Sequence, residues 1–124
     1  MQEFSNIQET LKRKNHSSTV LNLSGFSCPV CGERVFDPDS AKRRASAGDD
    51  LLLRSRKIDG DFLREVRKKL KLTQQEAARL TGGGHNAFSR YERGEASPID
   101  AVLNLFYILD KHPEILNEIK QKII

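Results

Sequence analysis

Residues 70 to 94 read L-K-L-T-Q-Q-E-A-A-R-L-T-G-G-G-H-N-A-F-S-R-Y-E-R-G, and this spacing describes two short capped helices joined by a glycine turn, the layout of a helix-turn-helix. Thr73 stands three residues before Glu76, just ahead of an apolar-periodic stretch. Its hydroxyl can accept from a free backbone N–H of the first turn while Glu76 reaches back, so a capping box starts the first helix. Gly82, Gly83 and Gly84 then break the pattern and allow a sharp turn. The second helix is predicted to begin near His85 or Asn86 and to end at Gly94.

On that second helix Phe88 and Tyr91 are three apart and pack inward, leaving Asn86, Ser89, Arg90 and Arg93 on the other side. Asn matches an adenine edge bidentately and Arg a guanine edge, and the first turn of a recognition helix enters the major groove. Asn86 and Arg90 are therefore the candidate base readers. Gln74, Ser89, Arg93, Lys69 and Lys71 are the candidate contacts to phosphate and backbone. A purely structural alternative has Asn86 capping the helix and Arg90 pairing with Glu92 or Glu95.

The charge distribution agrees with a double-stranded DNA partner. The chain of 124 residues carries 21 basic and 17 acidic side chains, a net +4. Residues 1–53 are balanced, so the whole excess lies in residues 54–124. Arg54, Arg56, Lys57, Arg64, Arg67, Lys68, Lys69 and Lys71 face only Asp59, Asp61 and Glu65 there, a basic approach to the helix-turn-helix that can displace counterions from phosphates.

The rest of the C-terminal half reads as helix. Asp61 is expected to cap a helix carrying Phe62, Val66 and Leu70 at four-residue spacing, with Leu63 widening the apolar face. Ser97 and Pro98 supply a cap and first turn for a buried helix through Asp110, with Val102, Leu105, Phe106 and Leu109 on its inner face and Leu103 and Ile108 extending it. Pro113 breaks the chain before a last amphipathic helix bearing Ile115, Leu116, Ile119 and Ile123. Its stripe exceeds what a marginal core obviously needs and is read as a homodimer contact, with a plain core role as the alternative.

The N-terminal half is less patterned. Residues 1–19 read as a polar arm or a disordered segment. Val20 to Phe26 and Arg34 to Phe36 read as short strands around Cys28-Pro29-Val30-Cys31-Gly32, and residues 37–50 as linker, with a short helix at 40–46 as the alternative. No 18-residue apolar stretch or leader is seen, so a cytoplasmic protein with no membrane association is expected. In that compartment Cys28 and Cys31 are thiols rather than a structural disulfide. The three histidines at 16, 85 and 112 form no nucleophile and base pairing, so no enzyme is expected.

The segment V-R-K-K-L-K-L-T-Q-Q-E-A-A-R-L-T-G-G-G-H-N-A-F-S-R-Y-E-R-G with L-D-K-H-P-E-I-L-N-E-I resembles the C-terminal DNA-binding domain of MqsA-type antitoxins, across residues 55 to 121. The resemblance implies a lambda-repressor-like (XRE family) helix-turn-helix at 51–124, a dimer on a palindromic operator of its own operon, and Asn86 and Arg90 at the base-contact positions. It also implies an N-terminal zinc domain that neutralises a ribonuclease toxin of the MqsR type. Such antitoxins hold zinc with two C-x-x-C pairs, whereas this chain keeps only the second, Cys28 and Cys31. Residues 20–50 are accordingly expected to be a degenerate zinc-ribbon-like segment and linker. His16 is a candidate third ligand. Zinc within one chain, zinc shared by two chains and a metal-free thiol pair are the alternatives. The expected architecture is mainly α, a five-helix domain with a small N-terminal β remnant. Function then divides between an autoregulating antitoxin and a stand-alone helix-turn-helix regulator without toxin binding.

Overall fold

The computed structural model describes the backbone of residues 1–123 and the side chains of residues 1–121. The chain divides into two units, residues 1–54 and 55–124. In chain order the elements are β1 (Gln2–Arg13), β2 (His16–Ser27), β3 (Arg34–Phe36), α1 (Pro38–Lys69), α2 (Gln74–Thr81), α3 (Ala87–Glu92), α4 (Asp100–Lys111) and α5 (Ile115–Ile123).

The expectation of a mainly α fold with a small β remnant is corrected by the N-terminal unit. Residues 2–13 are not an arm: they form a 12-residue strand paired antiparallel to a second of the same length, with β3 on the far side of β2. Lys14 and Asn15 make the two-residue hairpin turn between Arg13 and His16, Lys14 taking a φ of 55°. The ladder carries two bulges on opposite strands. One lies between Phe4 and Ile7 of β1, where Asn6 sits at φ 55°; the other lies between Val20 and Leu23 of β2, where Asn22 sits at φ 57°. Asparagine is among the few residues that tolerate this left-handed region. Each bulge fits two residues into one outward slot, so Phe4 and Ile7 stay on one face of β1, and Val20 and the fully buried Leu23 on one face of β2.

Residues 37–50 are not a linker. Asp37 caps α1, its carboxylate accepting from the Ser40 N–H at 2.8 Å, and Pro38 occupies the first helical position, where its missing N–H costs nothing. Leu51 joins Val20 and Leu23 among the buried residues of this unit.

In the second unit, α1 from Ser55 onward supplies Leu63, Val66 and Leu70 to a core completed by Leu72, Ala77, Ala78, Phe88, Val102, Phe106, Leu109 and Leu116. Asp61 does not start a helix, because α1 runs through it and through Gly60. A glycine inside a helix costs about 1 kcal/mol relative to alanine. Here it is required: a methyl at Gly60 would overlap the backbone carbonyl oxygen of Tyr91. Five helices are present among the described residues, as expected, but the first begins at Pro38 and belongs to both units. Ser97 does not cap α4, whose cap is Ile99; the Ser97 hydroxyl accepts from Arg56 Nε at 3.0 Å.

Along α5, Leu116 is buried and Ile115 and Ile119 pack against the core, while the Ile123 side chain lies outside the described residues. The exposed large apolar side chains of this unit are Ile58 on α1 and Ile99, Tyr107 and Ile108 at α4.

Candidate nucleic-acid interface

The helix-turn-helix forms as its local signals require. Glu76 N–H donates to Thr73 Oγ1 at 3.1 Å and Thr73 N–H to Glu76 Oε1 at 3.0 Å, the two halves of the capping box. The backbone N–H of Thr73, then its hydroxyl, holds the Glu76 carboxyl below the ordinary carboxylate range. α2 ends at Gly82, whose φ of 78° is left-handed and whose N–H returns to Ala78 and Arg79 carbonyls.

α3 is short, six residues, and is held from behind. Phe88 is fully buried, its ring centroid 5.1 Å from that of Phe106 and 5.5 Å from that of Tyr91. Glu92 accepts from both Nε and Nη2 of Arg67 at 2.8 Å, a bidentate pair whose side chains are 13% and 5% exposed for Arg67 and Glu92. Arg67 Nη1 also donates to the Leu72 carbonyl at 2.9 Å. One guanidinium therefore ties the end of α1, the approach to α2 and the rear of α3 together.

The outward side of α3 is open. Asn86 occupies the N-cap position but makes no side-chain capping bond, and its side chain and that of Arg90 are exposed. The acids that a structural role for Arg90 required are engaged elsewhere: Glu92 with Arg67 and Glu95 with Arg93, at 3.2 Å. Asn86 and Arg90, one turn apart, thus present an amide and a guanidinium outward. Those are the groups that match adenine and guanine edges.

The residues expected at phosphates divide. Gln74 and Ser89 are half-buried beside the open face and Lys71 is exposed, with φ 59° just past α1. Arg93 is exposed but donates to the Ser89 carbonyl at 3.2 Å. Lys69 is turned to the end of α4, its Nζ 2.7 Å from the Asp110 carbonyl and 3.0 Å from its carboxylate. Of the basic approach, Arg56, Lys57, Arg67 and Lys69 have partners inside the second unit and Arg54 within the first, on the Ser17 carbonyl.

Sequence reading passed over Gln75, Arg79 and His85, which with Ala78 and Gly83 line a cleft of about 280 Å³ at the α2 to α3 turn. It also passed over the Arg67–Glu92 pair and Gly60. Only Gly60 left a signal, a glycine inside an otherwise helical run.

Cys28 and Cys31 lie in the turn between β2 and β3. Cys28 N–H donates to the Glu33 carbonyl and Gly32 N–H to the Cys28 carbonyl, both at 2.8 Å. The Cys31 N–H, then that of Val30, then the Cys31 side chain, hold the Cys28 thiol below its ordinary range. The turn favours a thiolate but offers two sulfurs. His16 is not a third ligand: it sits at the hairpin end of β2, roughly 35–40 Å of strand from Cys28. No group of three metal-ligating side chains occurs among the described residues, so this donor set does not fit a closed tetrahedral zinc, which needs four.

No helix among the described residues is long and apolar enough to cross a membrane. The family profile described as "Antitoxin component of bacterial toxin-antitoxin system, MqsA" matches residues 5–120. A relative, Antitoxin MqsA of Escherichia coli (strain K12), is 36% identical over 115 residues, covering 86% of this chain and 83% of its own length.

Proposed function

Because the chain belongs to the MqsA antitoxin family, we propose that this antitoxin works through both of its units. The second unit binds a palindromic operator as a homodimer and represses its own operon; the first neutralises a ribonuclease toxin of the MqsR type in the cytoplasm. The observation that carries the DNA half is the exposed Asn86 and Arg90 on an α3 whose rear is anchored by Phe88 and the Arg67–Glu92 pair. Asn86 and Arg90 read bases. Gln74, Ser89, Lys71 and Arg93 meet phosphate, with Gln75, Arg79 and His85 beside them at the groove edge. The exposed Ile99, Tyr107 and Ile108 at α4 supply the two-fold contact.

The family match begins at residue 5 and so takes in the sheet unit, which favours the antitoxin reading over that of a stand-alone regulator. No catalytic role is assigned. Competition binding of the full chain against operator and scrambled duplex tests the DNA half. Asn86→Ala and Arg90→Ala are each expected to lose about 1–3 kcal/mol of discrimination while nonspecific affinity holds. Retention of full discrimination by both variants refutes the groove assignment. Co-expression with the adjacent toxin tests the other half: growth rescue by residues 1–54 alone is the expected result.

A further inference from the structure

The first unit has to be fastened somehow, and its two sulfurs cannot do it as a closed metal site. Three arginines of α1 reach strand atoms. Arg43 donates from Nη1 to the Leu21 carbonyl and from Nη2 to the Asn22 carbonyl, both at 2.7 Å, while its Nε is 3.0 Å from Asp39. Leu21 and Asn22 are the bulge residues of β2, outside the register pairs with β1, so the guanidinium fork lands on carbonyls that the β1 ladder leaves over. Arg44 Nε donates to Glu9 of β1 at 2.7 Å, and its guanidinium lies 5.3 Å from the Phe36 ring centroid. Arg54 Nη2 donates to the Ser17 carbonyl at 2.8 Å, near the hairpin end of β2.

The other end of β2 is closed by backbone and hydroxyl. Asp37 N–H donates to the Ser24 carbonyl at 2.9 Å, and Ser24 N–H to the Oγ of buried Ser40 at 2.9 Å. Phe4 and Phe36 pack edge to face at 5.7 Å, with Arg34 over Phe4. The cysteine turn lies outside all of this: Val30 at its tip is 93% exposed and Cys31 is exposed.

We infer that residues 1–54 fold without zinc, the fastening role belonging to Arg43, Arg44 and Arg54 on strand carbonyls and Glu9, and that the Cys28–Cys31 turn is held by its own backbone. A guanidinium stays charged across the accessible pH range and is indifferent to chelators and thiol oxidants. The sheet unit is therefore uncoupled from metal supply and thiol state.

The test uses the full chain: zinc content of freshly purified protein, and hydrogen exchange of peptides from residues 16–27, with peptides from residues 62–70 as internal control. A high-affinity zinc chelator and the double variant Cys28→Ser/Cys31→Ser should each leave exchange in 16–27 within twofold of wild type. Arg43→Met should speed it at least tenfold and spare 62–70. Arg43→Lys, a single point donor that cannot span two carbonyls, should fall between and covers the case in which Arg43→Met does not accumulate. Stoichiometric zinc whose removal releases protection in 16–27 overturns the inference, and so does wild-type exchange in both Arg43 variants.

Discussion

Glu92→Gln is the most informative single change, because it removes one charge from the buried pair and keeps the shape. In the native protein Arg67 and Glu92 share two bonds at 2.8 Å with only 13% and 5% of their side chains exposed. Taking away the carboxylate strands the guanidinium in a poorly solvated place, which typically costs about 3–5 kcal/mol; a glutamine oxygen can still accept one of the two bonds, so about 3 kcal/mol is expected. A domain of this size has roughly 5 kcal/mol to spare. The variant should therefore keep about 2 kcal/mol, with roughly 3% of molecules unfolded at 25 °C. Urea unfolding of the full chain, followed by a probe in residues 55–124, measures it: the midpoint should drop with the slope unchanged. Arg67→Met/Glu92→Leu, which leaves no stranded charge, should recover more than half of the loss. A cost under 1 kcal/mol for Glu92→Gln refutes the claim that this pair anchors α3.

Gly60→Ala should destabilise the second unit by about 1–3 kcal/mol despite alanine's better helix propensity, since its methyl meets a backbone oxygen that cannot move aside; thermal melting checks it, and any stabilisation refutes the close approach. Thr73→Ala should cost about 1 kcal/mol by melting. The lowered Glu76 and Asp37 carboxyls contribute stability that is complete above the ordinary carboxylate pKa of about 4 and is lost as pH falls through their lower folded values. A pH series of the wild type should show that loss, and Thr73→Ala should flatten part of it. Tyr107→Glu/Ile108→Glu should yield monomers by sedimentation at concentrations where wild type is dimeric, with folded helix content retained; an undisturbed dimer moves the two-fold contact elsewhere.

What was legible in the sequence was local. Thr73 with Glu76, the triple glycine and the Phe88–Tyr91 spacing act within a few residues of themselves, and all three features form as read. Arg67 and Glu92 are 25 positions apart, and nothing in either neighbourhood announces the pair. The sheet escaped for a different reason. β1 is mostly polar, and the Asn6 bulge shifts its alternation between Phe4 and Ile7, so a strict period of two fails in the middle of a genuine strand. The sequence starts the α1 helix late because Asp61 resembles a cap and because the first half of α1 buries little beyond Ser40 and Leu51.

The paired asparagine bulges also set where this chain can change length. Each places a surplus residue on the outward side without altering which side chains face in, so loss of Asn6 or of Asn22 turns the bulge into regular strand and leaves Phe4 and Leu23 where they were. Deletion of a residue in the middle of β1 or β2 outside the bulge pairs Ser5–Asn6 and Leu21–Asn22 reverses the facing of everything beyond it. Insertions and deletions in the hairpin are thus confined to two addresses. A shortened variant lacking both asparagines should still close at Lys14 and Asn15, with the ends of its strands in the same register.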